Sequence, residues 1–218
     1  MRAEGYLTAK NAQRKTEEWL DLLAVRPRFR LDAGRCALLV VDAQRFFAHP
    51  DGASYIPSAA VAVDSIIRLL GGWRAEDRPV AFTRHCHRRE DDGGMLMRFW
   101  GSVIECSSPD SALLEVLGRR GEEPVIEKTT YDSFWNTELE RWLGLRGCSQ
   151  VLATGFLTHL CVETTVRSAF VRGFEPFVAA DATATVFEEM HLGSLRAMAH
   201  GCADVLSTQL VLEGARER

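Results

Sequence analysis

Three residues that could act together chemically, an acid, a cation and a thiol, stand near the ends of short apolar runs. Asp42 and Lys128 each end a run that is typical of a buried strand, and Cys161 follows a third such run after a tight turn. A carboxylate, an ammonium group and a thiol can together generate a thiolate that attacks a carbonyl carbon. If the three strands are parallel, their carboxyl ends lie on one edge of the sheet, where side chains distant in sequence converge.

Cys161 precedes a segment with helical periodicity. Val162, Val166 and Ala169 fall on one face, which predicts a helix that opens at Cys161. There the positive end of the helix dipole stabilises a thiolate, and free backbone N–H groups can hold an oxyanion. A free cysteine is equally often a small buried hydrophobic residue. This stretch alone leaves both interpretations open.

The alternation of strands and helices predicts the fold. From Cys36 onward six apolar runs alternate with helical patterns, which is typical of a Rossmann-like three-layer α/β domain with an open, mostly parallel sheet covered on both faces. Short right-handed crossovers favour the strand order 3-2-1-4-5-6, which places the Asp42 and Cys161 strands side by side at the topological switch point. Residues 1–32 are predicted to form a helical arm that packs on its own domain or on a neighbouring subunit. Residues 33–218 are predicted to form the domain.

Two helices are expected beside the first and third strands. The first begins near Pro57 and buries a stripe of four residues. These are Ala60, Val63, Ile67 and Leu70. The second spans residues 110–117. Residues 84–110 show no clear periodicity, and a segment of that length in a compact domain usually has a function.

Composition and charge exclude several classes of partner. The 218 residues are 46% hydrophobic and 26% charged, as in a soluble globular protein. Because the formal net charge is −4 and no long basic run is present, we expect neither nucleic acid nor membrane as a partner, but a small-molecule substrate. The first residues lack the apolar core of a signal peptide, and the six cysteines form no CxxC pair. We therefore expect a cytoplasmic protein with reduced thiols.

Three motifs resemble the isochorismatase-like cysteine hydrolase superfamily. They are Val41-Asp-Ala-Gln44, Glu127-Lys-Thr-Thr-Tyr-Asp-Ser-Phe134 and Thr154-Gly-Phe-Leu-Thr-His-Leu-Cys-Val-Glu-Thr-Thr165, within a likeness that runs from about residue 36 to residue 211. The resemblance implies a catalytic triad of Asp42, Lys128 and Cys161. It also implies a homo-oligomer, a dimer or a tetramer.

The resemblance further implies how the turn before Cys161 is built. The family has a cis peptide bond two residues after the motif glycine, which corresponds to Leu157–Thr158 here and turns backbone N–H groups toward the substrate. We therefore predict an oxyanion hole from the backbone N–H groups of Thr158 and Cys161. In this scheme Asp42 takes the thiol proton, Cys161 attacks, and Lys128 holds the carboxylate and the thiolate.

His85 and His87 share one face of an extended strand, a spacing that permits metal binding. The nicotinamidase branch of the superfamily has an Asp-x-His pair here and a further histidine soon after. This chain has His85 in place of the Asp and no histidine between His87 and His159. We therefore expect solvated or pocket-lining histidines and no metal. No glycine-rich turn follows Asp42, so no cofactor is expected.

Other residues are predicted to line the substrate pocket. The string Met97-Arg-Phe-Trp-Gly101 resembles a substrate-loop sequence of several family members, and aromatic residues near the triad favour a small planar or apolar substrate. The predicted pocket residues are Gln44, Phe47, Arg84, His85, Arg98, Trp100, Tyr131, Phe134 and Leu157. We expect His159 to be a pocket or interface residue and Asp181 to stabilise a loop or cap a helix.

Three functions remain open from the sequence. The first is hydrolysis of a C–N bond in a small amide, carbamoyl or ureido compound through a thioester-type intermediate. The second is isochorismatase chemistry, in which Asp42 protonates a vinyl ether and no thiol is needed. Several such enzymes carry glycine or another residue where this chain has Cys161, so the cysteine favours the first. The third is a catalytically idle assembly protein, which the desolvation cost of an unused buried Asp-Lys-Cys set disfavours.

Overall fold

A six-stranded sheet forms the centre of the protein, of which a computed structural model describes residues 3–23 and 27–215. The strands are β1 (Cys36–Val41), β2 (Val80–His85), β3 (Val125–Lys128), β4 (Gln150–Phe156), β5 (Glu175–Ala184) and β6 (Asp204–Leu206). Their order is β3-β2-β1-β4-β5-β6, and every neighbouring pair is parallel. The predicted fold class and strand order are confirmed.

Helices cover both faces of the sheet, and β1 is buried along its whole length, as expected for a central parallel strand. The helices are α1 (Ala12–Leu23), α2 (Arg45–Ala48), α3 (Ala59–Ala75), α4 (Gly94–Trp100), α5 (Leu139–Leu145), α6 (Glu163–Val171), α7 (Glu188–Gly201) and α8 (Thr208–Gly214). One apolar core contains side chains of α3 and α8, and the other contains side chains of α1, α5, α6 and α7. Across the described ranges, no helix combines the length and the apolar character needed to cross a membrane.

The N-terminal arm packs on the sheet of its own chain. Trp19 in α1 is buried, and its ring centroid lies 4.6 Å from that of His191 in α7. Lys15 Nζ lies 2.5 Å from the Glu188 carboxylate. Tyr6 accepts a hydrogen bond at its hydroxyl from the backbone N–H of Thr185 (3.0 Å). The arm therefore supports the side of the sheet on which α7 lies.

The predicted buried stripe of α3 is wrong at two of its four positions. Ala60 and Ile67 are exposed, whereas Ile66 and Trp73 are fully buried. The indole Nε1 of Trp73 donates to the backbone carbonyl of Cys36 (3.0 Å). Because this bond sets the rotation of the helix against β1, the buried stripe follows Trp73.

The helix predicted over residues 110–117 is not formed. Two short 3-10 turns joined by extended backbone stand there instead. Leu114 N donates to Ala43 O (2.9 Å), and Arg45 N donates to Ala112 O (2.9 Å). The backbone groups that a helix would use are therefore paired with the chain that follows β1.

The prediction of reduced thiols is wrong for two of the cysteines. Cys86 and Cys106 form a disulfide, with their Cα atoms 4.9 Å apart, whereas the other four cysteines are free and buried. We call residues 86–106 the disulfide loop; it contains α4, which buries none of its side chains. The pairing could not be predicted because it depends on the path by which this loop returns to the end of β2.

Candidate active site

Asp42, Lys128 and Cys161 meet at the carboxyl edge of the sheet. Asp42 directly follows β1, Lys128 ends β3, and Cys161 lies just beyond β4. Lys128 Nζ lies 2.7 Å from Asp42 Oδ2, and both side chains are fully buried. Cys161 is 5% exposed, and its sulfur lies close enough to both groups for their charges to act on it. The structure thus brings together the three side chains that the strand order is expected to place at one edge.

A hydroxyl from the neighbouring strand aims the Asp42 carboxylate. Thr83 in β2 donates from Oγ1 to Asp42 Oδ1 (2.6 Å) and accepts a bond from the Asp42 backbone N–H (3.0 Å). Asp42 has a φ of 47°, a left-handed conformation that is uncommon for a residue other than glycine. The sequence analysis missed Thr83. The available signal was a hydroxyl in the strand expected to lie beside β1.

The strands that carry Asp42 and Cys161 approach each other closely at Gly155. Gly155 has a φ of 103°, and a Cβ atom at this position would lie 1.9 Å from the backbone carbonyl oxygen of Val41. Only glycine fits this conformation and this contact. The backbones of β1 and β4 are thus in direct contact at the end from which the two functional side chains project.

Lys128 keeps its positive charge although it is buried. Burial lowers its pKa, but the Asp42 carboxylate and the hydrogen bonds to Asp42 and Cys161 outweigh that effect, so the pKa lies above its ordinary value. Lys128 Nζ also donates to the carbonyl of Thr130 (2.9 Å). A fixed ammonium group therefore faces both the carboxylate and the sulfur.

Cys161 is a neutral thiol in this structure. Burial raises its pKa to about 12; Lys128 lowers the pKa and Asp42 raises it. Desolvation of a charged sulfur exceeds the favourable effects of the helix end and of Lys128, so the helix end alone does not generate the thiolate. The thiol therefore needs a base, and the Asp42 carboxylate is the nearby acidic group that acts on it.

A π-helical turn presents Cys161 and continues into α6. This segment, Thr158–Val162, is called the Cys161 turn, and it opens three residues before the predicted helix start. The cis peptide bond is Phe156–Leu157, one bond before the predicted position. β4 continues through Phe156 and Thr158 already belongs to the turn, so Leu157, which is extended, is the single residue that joins them. As the first residue of the turn, Thr158 has an N–H with no acceptor inside it.

Buried side chains of α7 form hydrogen bonds to the first residue of the Cys161 turn. His191 Nδ1 lies 2.9 Å from Thr158 Oγ1, and Ser194 donates from its hydroxyl to the Thr158 carbonyl (3.1 Å). Burial lowers the pKa of His191 to about 3, so its ring is neutral at pH 7. Both residues of α7 were missed because no sequence spacing connects them to Cys161.

The side chains of His159 and Asp181 form hydrogen bonds that stabilise the fold around the site. His159 Nδ1 lies 2.5 Å from Thr185 Oγ1 at the end of β5, so its ring is bonded into the fold. Asp181 accepts hydrogen bonds from the Thr208 N–H (2.7 Å), at the start of α8, and from the Ser65 hydroxyl (3.1 Å). The Asp181 contacts are those of the predicted helix-capping role.

Several predicted pocket residues are structural in this fold. Gln44 donates from Nε2 to the carbonyls of His85 (3.0 Å) and Ser111 (2.9 Å), and its Oε1 accepts from the His85 N–H (2.9 Å). Its amide is therefore fully used within the protein. Phe47 and Phe134 belong to the apolar cores on the two faces of the sheet.

Two more predicted pocket residues are also engaged elsewhere. Arg84 forms an ion pair with Glu127 in β3. Side chains alternate along a strand, so Arg84 faces away from Thr83 and Asp42. Leu157 is partly buried against the core that contains α3.

A cleft of about 760 Å³ opens between the disulfide loop and the residues that follow Lys128. Its lining includes His87, Glu90, Asp91 and Tyr131. Trp100, 57% exposed, donates from Nε1 to the Tyr131 hydroxyl (2.7 Å) and so joins the loop to the opposite wall. Arg98 is exposed, and its Nη1 lies 3.5 Å from Met95 Sδ.

His85 and His87 are both buried, so the expectation of solvated histidines is wrong and the pocket-lining one holds for His87. Their ring centroids lie 5.4 Å apart, and burial followed by the charge of Lys128 lowers the pKa of His85 to about 4. Within residues 3–23 and 27–215, neither histidine lies in a group of three ligand-type side chains close enough to share an ion. Two imidazoles alone do not fit a catalytic divalent metal site, which takes about three protein ligands.

Comparison with known proteins agrees with this architecture. Residues 36–209 match the family model described as the Isochorismatase domain. Nicotinamidase 3 of Arabidopsis thaliana is 37% identical over 170 residues, 77% of this chain and 82% of that protein. Phenazine biosynthesis protein PhzD of Pseudomonas fluorescens is 30% identical over 196 residues, 88% of this chain and 92% of that protein. A solved cysteine hydrolase from Pseudomonas syringae pv. phaseolicola 1448A, 26% identical, superposes with a TM-score of 0.82 over 87% of this chain and 97% of that chain. This chain belongs to the isochorismatase family of hydrolases.

Proposed function

We propose that this protein hydrolyses a C–N bond in a small amide, carbamoyl or ureido compound, with Cys161 as the nucleophile. The supporting observation is a buried thiol beside the Asp42 carboxylate, which is itself paired with Lys128 at 2.7 Å. A thiol with a high pKa is inert until a base removes its proton, and here the base is adjacent.

In the first step, Asp42 takes the proton of Cys161 as the sulfur attacks the carbonyl or carbamoyl carbon. The negative charge moves from the carboxylate to the sulfur and then to the substrate oxygen. Lys128 faces the first two of these positions. Because the ammonium stays beside the migrating charge, the buried site keeps its net charge and needs little reorganisation.

The tetrahedral oxyanion would be bound by the N–H groups of Thr158 and Cys161 in the first turn of the helix. Protonated Asp42 then gives its proton to the leaving nitrogen, the C–N bond breaks, and ammonia or an amine departs. A thioester-type intermediate remains on Cys161. Water attacks it after losing a proton to Asp42, which returns that proton to the sulfur as the acid product leaves.

The choice of an amide-type substrate is supported by relatives. One relative is named a nicotinamidase and a structural neighbour a cysteine hydrolase. The cleft of about 760 Å³ is lined by Thr129, directly after Lys128, rather than by the three reacting side chains, and its volume suits a small molecule of any class.

Isochorismatase chemistry is the second candidate, since the matched family model bears that name. It would use Asp42 as a general acid on a vinyl ether. The buried Cys161 thiol beside Asp42 favours the first candidate, since hydrolysis of a vinyl ether needs no thiol. A catalytically idle assembly protein is a weaker third candidate. Burying Asp42, Lys128 and Cys161 costs desolvation free energy, and in such a protein no activity would compensate for that cost.

The test measures ammonia release from a panel of small amides, carbamoyl amino acids and ureido acids. We expect wild type to release ammonia from at least one class and Cys161→Ala to lose roughly 10³-fold or more in kcat. Cys148→Ala, which removes another buried free thiol, is the matched control and should retain activity. Hydrolysis of isochorismate that survives Cys161→Ala but not Asp42→Ala would overturn the proposal.

A further inference from the structure

The disulfide fastens its loop to the strand ends that carry the active site. The backbone N–H of Cys86 donates to the Lys128 carbonyl (3.1 Å). At the other end of the loop, Cys106 N donates to His87 O (2.8 Å), and His87 N donates to Ile104 O (2.8 Å). Both ends of residues 87–105 are therefore tied next to Lys128, one of them through a covalent bond.

Between these ends the disulfide loop is weakly packed. None of the side chains of α4 is buried, and Met95, Phe99 and Trp100 are largely exposed. This part of the loop nevertheless forms one wall of the 760 Å³ cleft. Few buried apolar contacts oppose local opening, so the position of the loop depends on how its ends are fastened and on the exposed Trp100–Tyr131 hydrogen bond.

The two cysteines of the disulfide differ in exposure. Cys86 is 2% exposed, whereas Cys106 is only half-buried. Both line a small pocket of about 110 Å³ together with Arg88 and Asp91. The more exposed Cys106 is the cysteine that a thiolate from solvent would attack, with the Cys86 sulfur as the leaving group. Arg88 is a cation that can stabilise the departing thiolate, and the Asp91 carboxylate, which accepts a hydrogen bond from the Arg88 backbone N–H (2.8 Å), opposes this effect.

The carboxylate of Glu127 opposes that step only weakly. Its oxygen lies within 4.8 Å of both sulfurs, where a negative charge would disfavour a thiolate. The same carboxylate is paired with Arg84, which neutralises much of this effect. The other cysteines are buried, so exchange would be confined to this disulfide.

We propose that Cys106 is a reversible exchange site for a low-molecular-weight thiol, and that this exchange controls the affinity of the cleft for substrate. The thiolate attacks Cys106 Sγ, the bond to Cys86 breaks, and Cys86 leaves as a thiolate that takes a proton. A mixed disulfide remains on Cys106. A second thiolate attacks the sulfur of the bound small thiol, releasing a small-molecule disulfide and leaving both protein cysteines reduced. Two small thiols thus supply the two electrons.

The site of exchange is tested by mass spectrometry with glutathione as the probe, which requires no catalytic turnover. Cys86→Ser, treated with glutathione disulfide, should carry one glutathione on Cys106, because no partner thiol can expel it. Cys106→Ser should carry none on Cys86, which is buried. Equal labelling of Cys86 in the second variant, or no label on Cys106 in the first, would overturn the proposal.

The consequence for affinity rests on the proposed function and is tested separately. With a substrate found in the ammonia assay, full reduction by glutathione should raise KM about tenfold and leave kcat within about twofold, since the loop positions substrate without touching Cys161. The Cys86→Ser/Cys106→Ser double variant should show the raised KM in both redox states, whereas Cys148→Ser should respond like wild type.

A double variant with the KM of oxidised wild type would overturn the affinity control. Trypsin cleavage after Arg88 and Arg89 gives a readout independent of activity, and it should accelerate on reduction of wild type. Unchanged cleavage would contradict loop release. If no amide is hydrolysed at all, the proposed function fails while the adduct on Cys106 and the cleavage rate still decide the exchange site.

Discussion

On one side of the active site, the Cys161 turn rests on buried polar groups of α7, which the N-terminal arm supports in turn. On the other side, the disulfide loop carries an exposed helix and is fastened at its two ends. The Cys161 turn is held by tertiary packing, whereas the disulfide loop is held by one covalent link, a few backbone hydrogen bonds and the Trp100–Tyr131 hydrogen bond. Under the proposed function, the rigid Cys161 turn carries the chemistry and the disulfide loop tunes the affinity for substrate.

The largest effect is expected when the positive charge of Lys128 is removed. Lys128→Met should lower kcat/KM by roughly 10³-fold. It should also lower the free energy of unfolding by about 3–5 kcal/mol, because the Asp42 carboxylate is left buried without its partner. Activity assays and urea denaturation measure the two losses. Lys15→Met breaks a less buried pair with Glu188 and should cost much less. Equal losses in the two variants would contradict this account of the site.

The second expected effect concerns pH and the support under the Cys161 turn. His191 has a pKa of about 3 when folded and an ordinary value near 6.5 when unfolded, so the unfolded state binds more protons between these values. The free energy of unfolding should therefore fall as pH drops from about 6.5 toward 3, by up to about 1.4 kcal/mol per pH unit from this residue.

Urea denaturation of wild type and His191→Gln at several pH values between 7 and 4 measures this slope. His191→Gln should flatten the slope without abolishing it, since burial also lowers the pKa of His85 to about 4. Parallel pH curves for the two proteins would show that His191 is not buried in neutral form. Because His191 is hydrogen-bonded to Thr158 in the Cys161 turn, His191→Gln should lower kcat by a larger factor than it raises KM.

A smaller effect is expected in the disulfide loop. Trp100→Phe keeps an aromatic ring but removes the donor to the Tyr131 hydroxyl. KM should rise about two- to fivefold with kcat unchanged, because one exposed hydrogen bond that joins the two sides of the cleft is lost. Steady-state kinetics on oxidised protein measure it. A fall in kcat with an unchanged KM would contradict the roles given to the Cys161 turn and the disulfide loop.

The smallest effect is expected at Arg84. Its ion pair with Glu127 is partly exposed, and such pairs contribute about 0–1 kcal/mol to stability. Arg84→Gln should therefore leave kcat and KM within about twofold of wild type, because the side chain faces away from Asp42. Kinetics with an anionic substrate give the most sensitive check. A large rise in KM there would return Arg84 to the substrate pocket, where the sequence analysis placed it.

The sequence permits prediction of the strand order and of the convergence of Asp42, Lys128 and Cys161, because both follow from apolar runs and the geometry of parallel strands. Features that depend on packing could not be predicted. The high pKa of Cys161 comes from burial, and the support from His191 comes from a helix thirty residues further along the chain. The disulfide required the path of a loop without periodicity.

Gly155 bears on how this enzyme could be redesigned. With a Cβ position 1.9 Å from the Val41 carbonyl oxygen, any side chain there would push the strand of the carboxylate away from the strand of the thiol. In a library that randomises residues around the pocket, we therefore expect selection for activity to return glycine alone at this position. The spacing between Asp42 and Cys161 is set by the backbone, so substrate preference can be altered at the disulfide loop without retuning the reacting groups.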